Sequence, residues 1–325
     1  MSLSLSQKKG LSLPKPRDLA RYIFSLPFAY VGTVLLLLFA YYTRPALLSP
    51  LLLLLIIRQA APLGIVVLGQ SLCMRVLSLD LSIGGVIVAV SYILTSGVLP
   101  FSEPVLVLIC VGFGLMIGSI NALLITRLRA SSVIVTLAMA MILSGIVISL
   151  SQYHAPSDAP EILRYIGQKR IGVFPIALFV WLAVLIPSVI FLRISVFGRY
   201  VDAIGANPNA AWTSGIPYIW VVTIVHIMSS LFAVFSGLLL VGFVGVGSID
   251  IGQDLALNSL AAVILGGVTF GSGKGGVIGP TVAAFMLTFS FNLLTSLGLG
   301  EPGKLMIQGG IIAVAAIVYA TRQAK

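Results

Sequence analysis

Ten apolar stretches, near 25–43, 54–74, 82–99, 104–126, 131–150, 172–192, 217–246, 255–270, 277–297 and 304–321, follow one another along a chain of 325 residues. A helix rising about 1.5 Å per residue needs about 20 apolar residues to cross a hydrocarbon slab of about 30 Å. Because a helix satisfies its own backbone N–H and C=O groups in lipid, these stretches predict an all-α integral membrane protein with about ten transmembrane helices. Composition closes off a large soluble domain: 9% of residues are charged, 59% are hydrophobic before the 33 glycines are added, and mean hydropathy is +1.14. A soluble domain carries roughly 25% charged residues to cover its surface. The first stretch reads as a retained anchor, because its end, Ala40-Tyr41-Tyr42-Thr43-Arg44, lacks the small-x-small pattern of a signal-peptide cleavage site.

Lys and Arg concentrate in cytoplasmic loops, so their distribution predicts orientation. With ten spans and both termini cytoplasmic, 13 basic residues fall on the inner side and 5 on the outer, with Arg58 near the outer end of the second span. The expected organisation is a basic cytoplasmic segment over 1–24, one transmembrane domain over 25–321 with an inner loop at 193–216, and a cytoplasmic tail over 322–325. The formal charge of +10 is scattered between apolar blocks, apart from Lys8, Lys9, Lys15, Arg17 and Arg21 ahead of the first span. That pattern is the one cytoplasmic retention produces, and it argues against a nucleic-acid partner.

The inventory for catalysis is thin. Cys73 and Cys110 sit in apolar stretches without metal-ligand spacing and read as buried small hydrophobes; His154 and His226 leave no cluster for a metal or a triad, and His226, within a span, reads as a histidine satisfied by a neighbouring helix, with a role along a permeation path as the alternative. The chain is therefore expected to be non-catalytic and to bind no cofactor. Gly271 through Gly276 superficially resembles a phosphate loop, but Val268 stands where a Walker A glycine is needed and Gly275 where a Ser or Thr is needed. It reads as a tight inner turn.

The inner loop at 193–216 carries helix signals. Asn207 suits an N-cap, Pro208 the first helical position and Gly215 the residue past the end, which predicts a short helix standing alone between two spans. Two turns are marginal in water, so something must brace them. Ala210 and Ala211 offer a low face and Trp212 an anchor for a partner's groove, and Gly205 is expected to bend with positive φ on entry. Elsewhere, Asp80 must be paired, at an interface or lining water, with a structural cap or a helix start at Ser82 as its simplest role. Gln70, Asn121, Asn258 and Asn292 are polar groups within or at the ends of spans. With Asp80 and Ser82 they are the candidates for a translocation path, against interhelical hydrogen bonding as the alternative. The Gly114-x-x-x-Gly118 step predicts a close helix approach.

Several segments together resemble one known family. Arg58-Gln59-Ala60-Ala61-Pro62-Leu63-Gly64-Ile65 through Gly69, Asp80-Leu81-Ser82-Ile83-Gly84-Gly85, Asn121 through Arg129 with Ile134-Val135-Thr136-Leu137, Gly198 through Ile216, and Leu265 through Gly279 occur in order over about 55–320. They are similar to the permease subunits of ATP-binding-cassette importers for ribose, xylose, galactose and related sugars, a family that also holds autoinducer-2 and inositol permeases. The chain departs from the pattern at Leu77, Ser78 and Leu79, where the family usually has two glycines, and at Gly85, where it has a serine. The resemblance implies the importer permease fold in a bacterial cytoplasmic (inner) membrane and a second permease subunit, identical or related. It also implies cytoplasmic ATPase subunits that use ATP-Mg and an extracytoplasmic sugar-binding protein. Coupling to the ATPase then falls to Gly198, Arg199, Ala203, Gly205, Asn207, Pro208, Ala210, Ala211, Trp212 and Gly215. A permease of the same superfamily for nucleosides or branched-chain amino acids is the alternative. A secondary transporter or channel would need paired intramembrane charges that this chain scarcely offers.

Overall fold

The computed structural model describes residues 27–269, 275–300, 302–307, 309, 310 and 313. Its helices are α1 (Phe28–Thr43), α2 (Pro50–Arg75), α3 (Ile83–Thr95), α4 (Glu103–Thr126), α5 (Ser132–Ser151), α6 (Glu161–Gln168), α7 (Ile176–Ile194), α8 (Val196–Ala206), α9 (Pro208–Thr213), α10 (Tyr218–Val244), α11 (Leu255–Leu265) and α12 (Ile278–Ser296). A two-stranded hairpin, β1 (Arg170–Ile171) and β2 (Phe174–Pro175), joins α6 to α7. Among the described residues, α2, α4, α5, α7, α10 and α12 are long and apolar enough to cross a membrane, and α1, α3 and α11 are shorter apolar helices.

The first nine expected stretches each coincide, within a few residues, with one of these helices. Of the tenth, only 304–307, 309, 310 and 313 are described, all helical, and the segments 1–24, 322–325 and the turn at 270–274 lie outside the described residues. Two helices are shorter than their apolar runs. α3 stops at Thr95, two residues before Gly97 takes φ +68, and α11 stops at Leu265, two residues before Gly267 takes φ +89. The stretch expected from 172 becomes helical only at Ile176, because Arg170–Ile171 pair with Phe174–Pro175 first.

The 19 residues of α7 separate the hairpin from the α8–α9 elbow by about 28 Å. Exposed aromatic residues mark both levels: Tyr165 and Phe174 near the hairpin, Trp212 and Trp220 near the elbow. The amphipathic rings among these, Tyr165 at one level and Trp212 and Trp220 at the other, follow the pattern of membrane interfaces.

Burial divides the bundle into an inner and an outer set. Ala60 through Arg75 of α2 are buried without interruption, as is every residue of α3 except Ile93. α10 and α11 complete the inner set, while α5 buries only Thr136, Leu143 and Val147 and presents Ile134, Met141 and Ile142 outward. A helix apolar on all sides belongs inside such a bundle, and an outward apolar face belongs against lipid or another subunit.

Small residues set the helix spacing. A Cβ built on Gly118 of α4 would meet Ile227 Cα at 2.6 Å and the His226 carbonyl at 2.8 Å, and one on Gly114 would meet Val234 Cγ2 at 2.6 Å. The expected close approach is thus that of α4 to α10, backbone against backbone.

Between α2 and α3, residues 76–82 run non-helically through the interior. The last turn of α2 closes with Ser78 N–H donating to the Cys73 carbonyl at 2.9 Å and Leu77 N–H to that of Met74 at 3.1 Å. This paired-bond cap places its penultimate residue in the left-handed region, where glycine is usual. α9 ends the same way with Gly215 at φ +80, but α2 uses Leu77 at φ +61, a conformation in which a Cβ crowds the backbone. Farther on, Leu79 N–H donates to Ser132 Oγ at 3.1 Å and Leu81 N–H to Thr136 Oγ1 at 3.0 Å, so α5 supplies the bonds that helix geometry would otherwise provide.

Two outcomes follow from this packing. Gly118→Val separates α4 from α10 and lowers the melting temperature of the detergent-purified chain, whereas Gly112→Val, with nothing within 4 Å, leaves it nearly unchanged. At position 77 the ordinary helix ranking inverts: Leu77→Gly is more stable than Leu77→Ala by about 1 kcal/mol in thermal or denaturant unfolding, because both lose the side chain but only alanine keeps the strain. An alanine variant as stable as the glycine variant would mean that position 77 is not left-handed.

Candidate functional site

Two places carry groups beyond packing needs: the α8–α9 elbow and a buried polar cluster around the 76–82 segment.

The elbow starts where α7 ends. Ser195 caps α8, its Oγ accepting from Gly198 N–H at 3.1 Å, a cap that the sequence reading missed although a Ser three residues before Gly198 was the signal for it. Gly198 is required here, because a Cβ on it would overlap the Leu192 carbonyl of α7. α8 was not expected, so the short helix does not stand alone: it follows an 11-residue helix at a sharp break. The break is at Asn207, with φ −163, and not at Gly205, which is buried inside α8 in helical conformation. The positive-φ bend expected at Gly205 is therefore absent, since an extended Asn207 already turns the chain.

α9 itself is built as the sequence signals. Asn207 Oδ1 accepts from Asn209 N–H at 3.0 Å and Ala210 N–H at 3.1 Å, Pro208 occupies the first turn, and Gly215 takes the left-handed position beyond the end. The face expected from Ala210 and Ala211 is split. Ala211 is 4% exposed and packs into the chain's own core with Val222 and Val225, while Ala210 and Asn209 face outward and Trp212 is 63% exposed. Arg199 is exposed as well, and Ala203 is partly buried against the same core. Within α8, next to the buried Val201, Asp202 accepts an ion pair from Arg75 at the end of α2. The elbow is thereby tied to the innermost helix.

The second place begins at Asp80, fully buried, whose Oδ1 accepts from Ser82 N–H at 3.0 Å and from the Ser82 hydroxyl. This is a local turn two residues long, and Ser82 makes no side-chain cap to α3. Asn121 of α4 donates from Nδ2 to Ser82 Oγ at 2.9 Å, so Asp80, Ser82 and Asn121 form one network. Ser78 Oγ lies 2.8 Å from His226 Nε2 of α10, in keeping with the reading of His226 as a histidine satisfied by a neighbouring element. Cys73, Asp80 and His226 each offer a ligand atom within 4.8 Å of the others, all three buried. The expected lack of any metal-competent cluster is overturned: residues 73, 80 and 226 have no sequence spacing to read, and only the packing of α10 on α2 joins them.

The other candidate path residues lie apart. Gln70 is fully buried, with neither amide atom hydrogen-bonded. Asn258 donates to Asp254 at 2.8 Å within its own helix start, and Asn292 donates to Gln59 Oε1 at 2.8 Å, joining α12 to α2. A cavity of about 620 Å³ opens beside the network, lined by Leu77, Ser78, Arg129, Ser132, Asn209 and Trp212 among others, and it reaches from α9 to the 76–82 segment.

Known proteins place this architecture. The family described as branched-chain amino acid transport system / permease component matches residues 52–316. The chain is 31% identical over 250 residues to the fructose import permease protein FrcC of Rhizobium meliloti, covering 74% of this chain and 69% of that protein. It is 25% identical over 292 residues to the ribose import permease protein RbsC of Bacillus subtilis, covering 89% and 91%. With the galactose/methyl galactoside import permease protein MglC of Haemophilus influenzae, identity is 29% over 232 residues, covering 68% of each. A bundle of apolar helices matched over most of its length by these proteins is a multi-pass membrane permease, and the chain belongs to the family of sugar ABC import permeases.

Proposed function

We propose that this chain is the translocation subunit of an ATP-driven importer for a monosaccharide of the ribose, xylose, galactose or fructose kind, seated in a bacterial cytoplasmic membrane. It forms the path together with a second permease subunit, receives sugar from an extracytoplasmic binding protein, and is driven by cytoplasmic ATPase subunits that carry the ATP-Mg chemistry. The observation that carries this reading is α9: a helix of six residues, capped at both ends, whose outer face of Asn209, Ala210 and Trp212 is unpartnered while Ala211 anchors its inner face. So short a helix is marginal in isolation, and here the chain itself braces one side and leaves the other for a groove.

The elbow supports a transmission route. Closure of an ATPase pair pushes α9; the rigid α8–α9 unit passes the push to α7 through the Gly198 contact and to α2 through Arg75 and Asp202. Coupling requires contacts that differ between two states, and an ion pair with one exposed partner beside a rigid helix supplies one that is easily exchanged. Sugar import is preferred to nucleoside or amino-acid import because the curated relatives are named for fructose, ribose and galactose.

The two alanines separate docking from folding. Ala210→Asp keeps the melting temperature within about 1 °C, since a surface change away from packing costs little, but loses co-purification of the ATPase subunit and uptake. Ala211→Asp lowers the melting temperature itself, because it forces a carboxylate into the elbow core. Retained ATPase binding in a folded Ala210→Asp variant would remove the coupling role from α9. The substrate class is read from the co-encoded binding protein: a monosaccharide raises its melting temperature, while a nucleoside or leucine does not. Stabilisation by leucine or a nucleoside alone would replace the sugar reading.

A further inference from the structure

Cys73, Asp80 and His226 are buried groups that the proposed transport role does not employ. They come from three elements: Cys73 from the last turn of α2, Asp80 from the non-helical 76–82 segment, and His226 from α10, about 12 Å along that helix from Tyr218. Each is completely shielded from solvent. We propose that they form a binding site for a divalent transition-metal ion of the zinc class, holding it through one thiolate, one carboxylate and one imidazole.

Geometry supplies the first support. The three ligand atoms already lie within 4.8 Å of one another; donors at about 2.0–2.3 Å from one ion stand about 3.5 Å apart in a tetrahedral site, so side-chain shifts of about 1 Å bring the three onto one ion. Free valence supplies the second. Asp80 Oδ2 and His226 Nδ1 are buried without hydrogen-bond partners, a costly state for polar atoms in a bundle interior. Their opposite atoms are both held: Oδ1 by Ser82 and His226 Nε2 by Ser78. The 2.8 Å contact of Nε2 with Ser78 Oγ accommodates either tautomer, and metal binding selects the one in which Nε2–H donates to Ser78 and the lone pair resides on Nδ1. Ser82 is in turn fixed by Asn121, so both outer partners of the ligands are in place.

Charge supplies the third. An ion of charge two, with one thiolate, one carboxylate and one neutral imidazole, makes a site of zero net charge, whereas a lone Asp80 carboxylate is an uncompensated ion in a low-dielectric interior. Binding converts the Cys73 thiol to thiolate and releases its proton to solvent. Thiolate and imidazole together favour zinc, cobalt or cadmium over magnesium or calcium. Ser78, which touches His226, also lines the 620 Å³ cavity that opens toward α9, and so gives the ion an entry route. Once bound, the ion joins α2, the 76–82 segment and α10.

The full-length chain in detergent, stripped of metal with a chelator, is titrated with Co2+ and then with Zn2+. The expected result is one Co2+ per chain with a sulfur-to-cobalt charge-transfer band, displaced by Zn2+, and a rise in melting temperature with Zn2+. Cys73→Ala abolishes the band, while Cys110→Ala, which alters the other buried thiol, retains it. Ser78→Ala keeps all three ligands and the band but weakens Zn2+ binding about 10- to 100-fold, as loss of a group orienting a ligand does. Should Cys73→Ala not fold, His226→Gln stands in its place, with the charge-transfer band then surviving at lower affinity. Wild-type protein without the band, or a band unchanged in Cys73→Ala, overturns the site.

Discussion

Non-helical backbone is tolerated inside a lipid slab only where protein satisfies every N–H and C=O that a helix would have paired, and residues 76–82 show how much of this structure answers to that demand. The α2 cap takes care of Leu77 and Ser78, Ser132 and Thr136 of α5 accept from Leu79 and Leu81, and Asp80 accepts from Ser82. These bonds bring α5 against the inner helices and turn the Asp80 carboxylate inward. α3 begins only after this segment, at Ile83, and its 13 residues end at Thr95, ahead of left-handed Gly97.

Glycine does the complementary job of letting whole helices meet. Gly118 seats α4 on the α10 backbone at the level of His226, and Gly198 seats α8 on the end of α7. Lipid offers no hydrophobic drive for helices to associate, so close backbone approach and buried hydrogen bonds are what hold such a bundle together. The same approach that tightens α4 on α10 carries Asn121 to Ser82, linking packing to the polar network. Ser78 sits where the two functional places adjoin: one side of it touches His226 and the other lines the cavity reached by Asn209 and Trp212 of α9.

Much of the elbow was legible along the chain. Asn207, Pro208 and Gly215 occupy their positions because N-cap, first-turn and left-handed preferences are local properties of single residues, and they need no neighbour to be expressed. The helices at the first nine apolar stretches were legible for a similar reason, since a run of apolar residues is a local property; six of them are long and apolar enough to cross a membrane. Which alanine of Ala210 and Ala211 faces inward was not legible, because two residues of one kind on a six-residue helix carry no hydrophobic stripe. Gly205 misled for the opposite reason: glycine permits a left-handed bend without requiring one, and the break passed to Asn207.

The sequence by itself therefore determined the membrane class, the approximate spans, the caps of α9 and the family resemblance, all of which rest on local composition and order. Tertiary structure alone decided that Cys73, Asp80 and His226 share one buried space, that Leu77 takes a glycine's conformation, and that Arg75 reaches Asp202. The reason is physical. A helix brings residues three or four apart onto one face, but nothing in its periodicity says which other helix that face will meet; that choice belongs to the packing of backbones made close by glycine and to buried polar groups in search of partners.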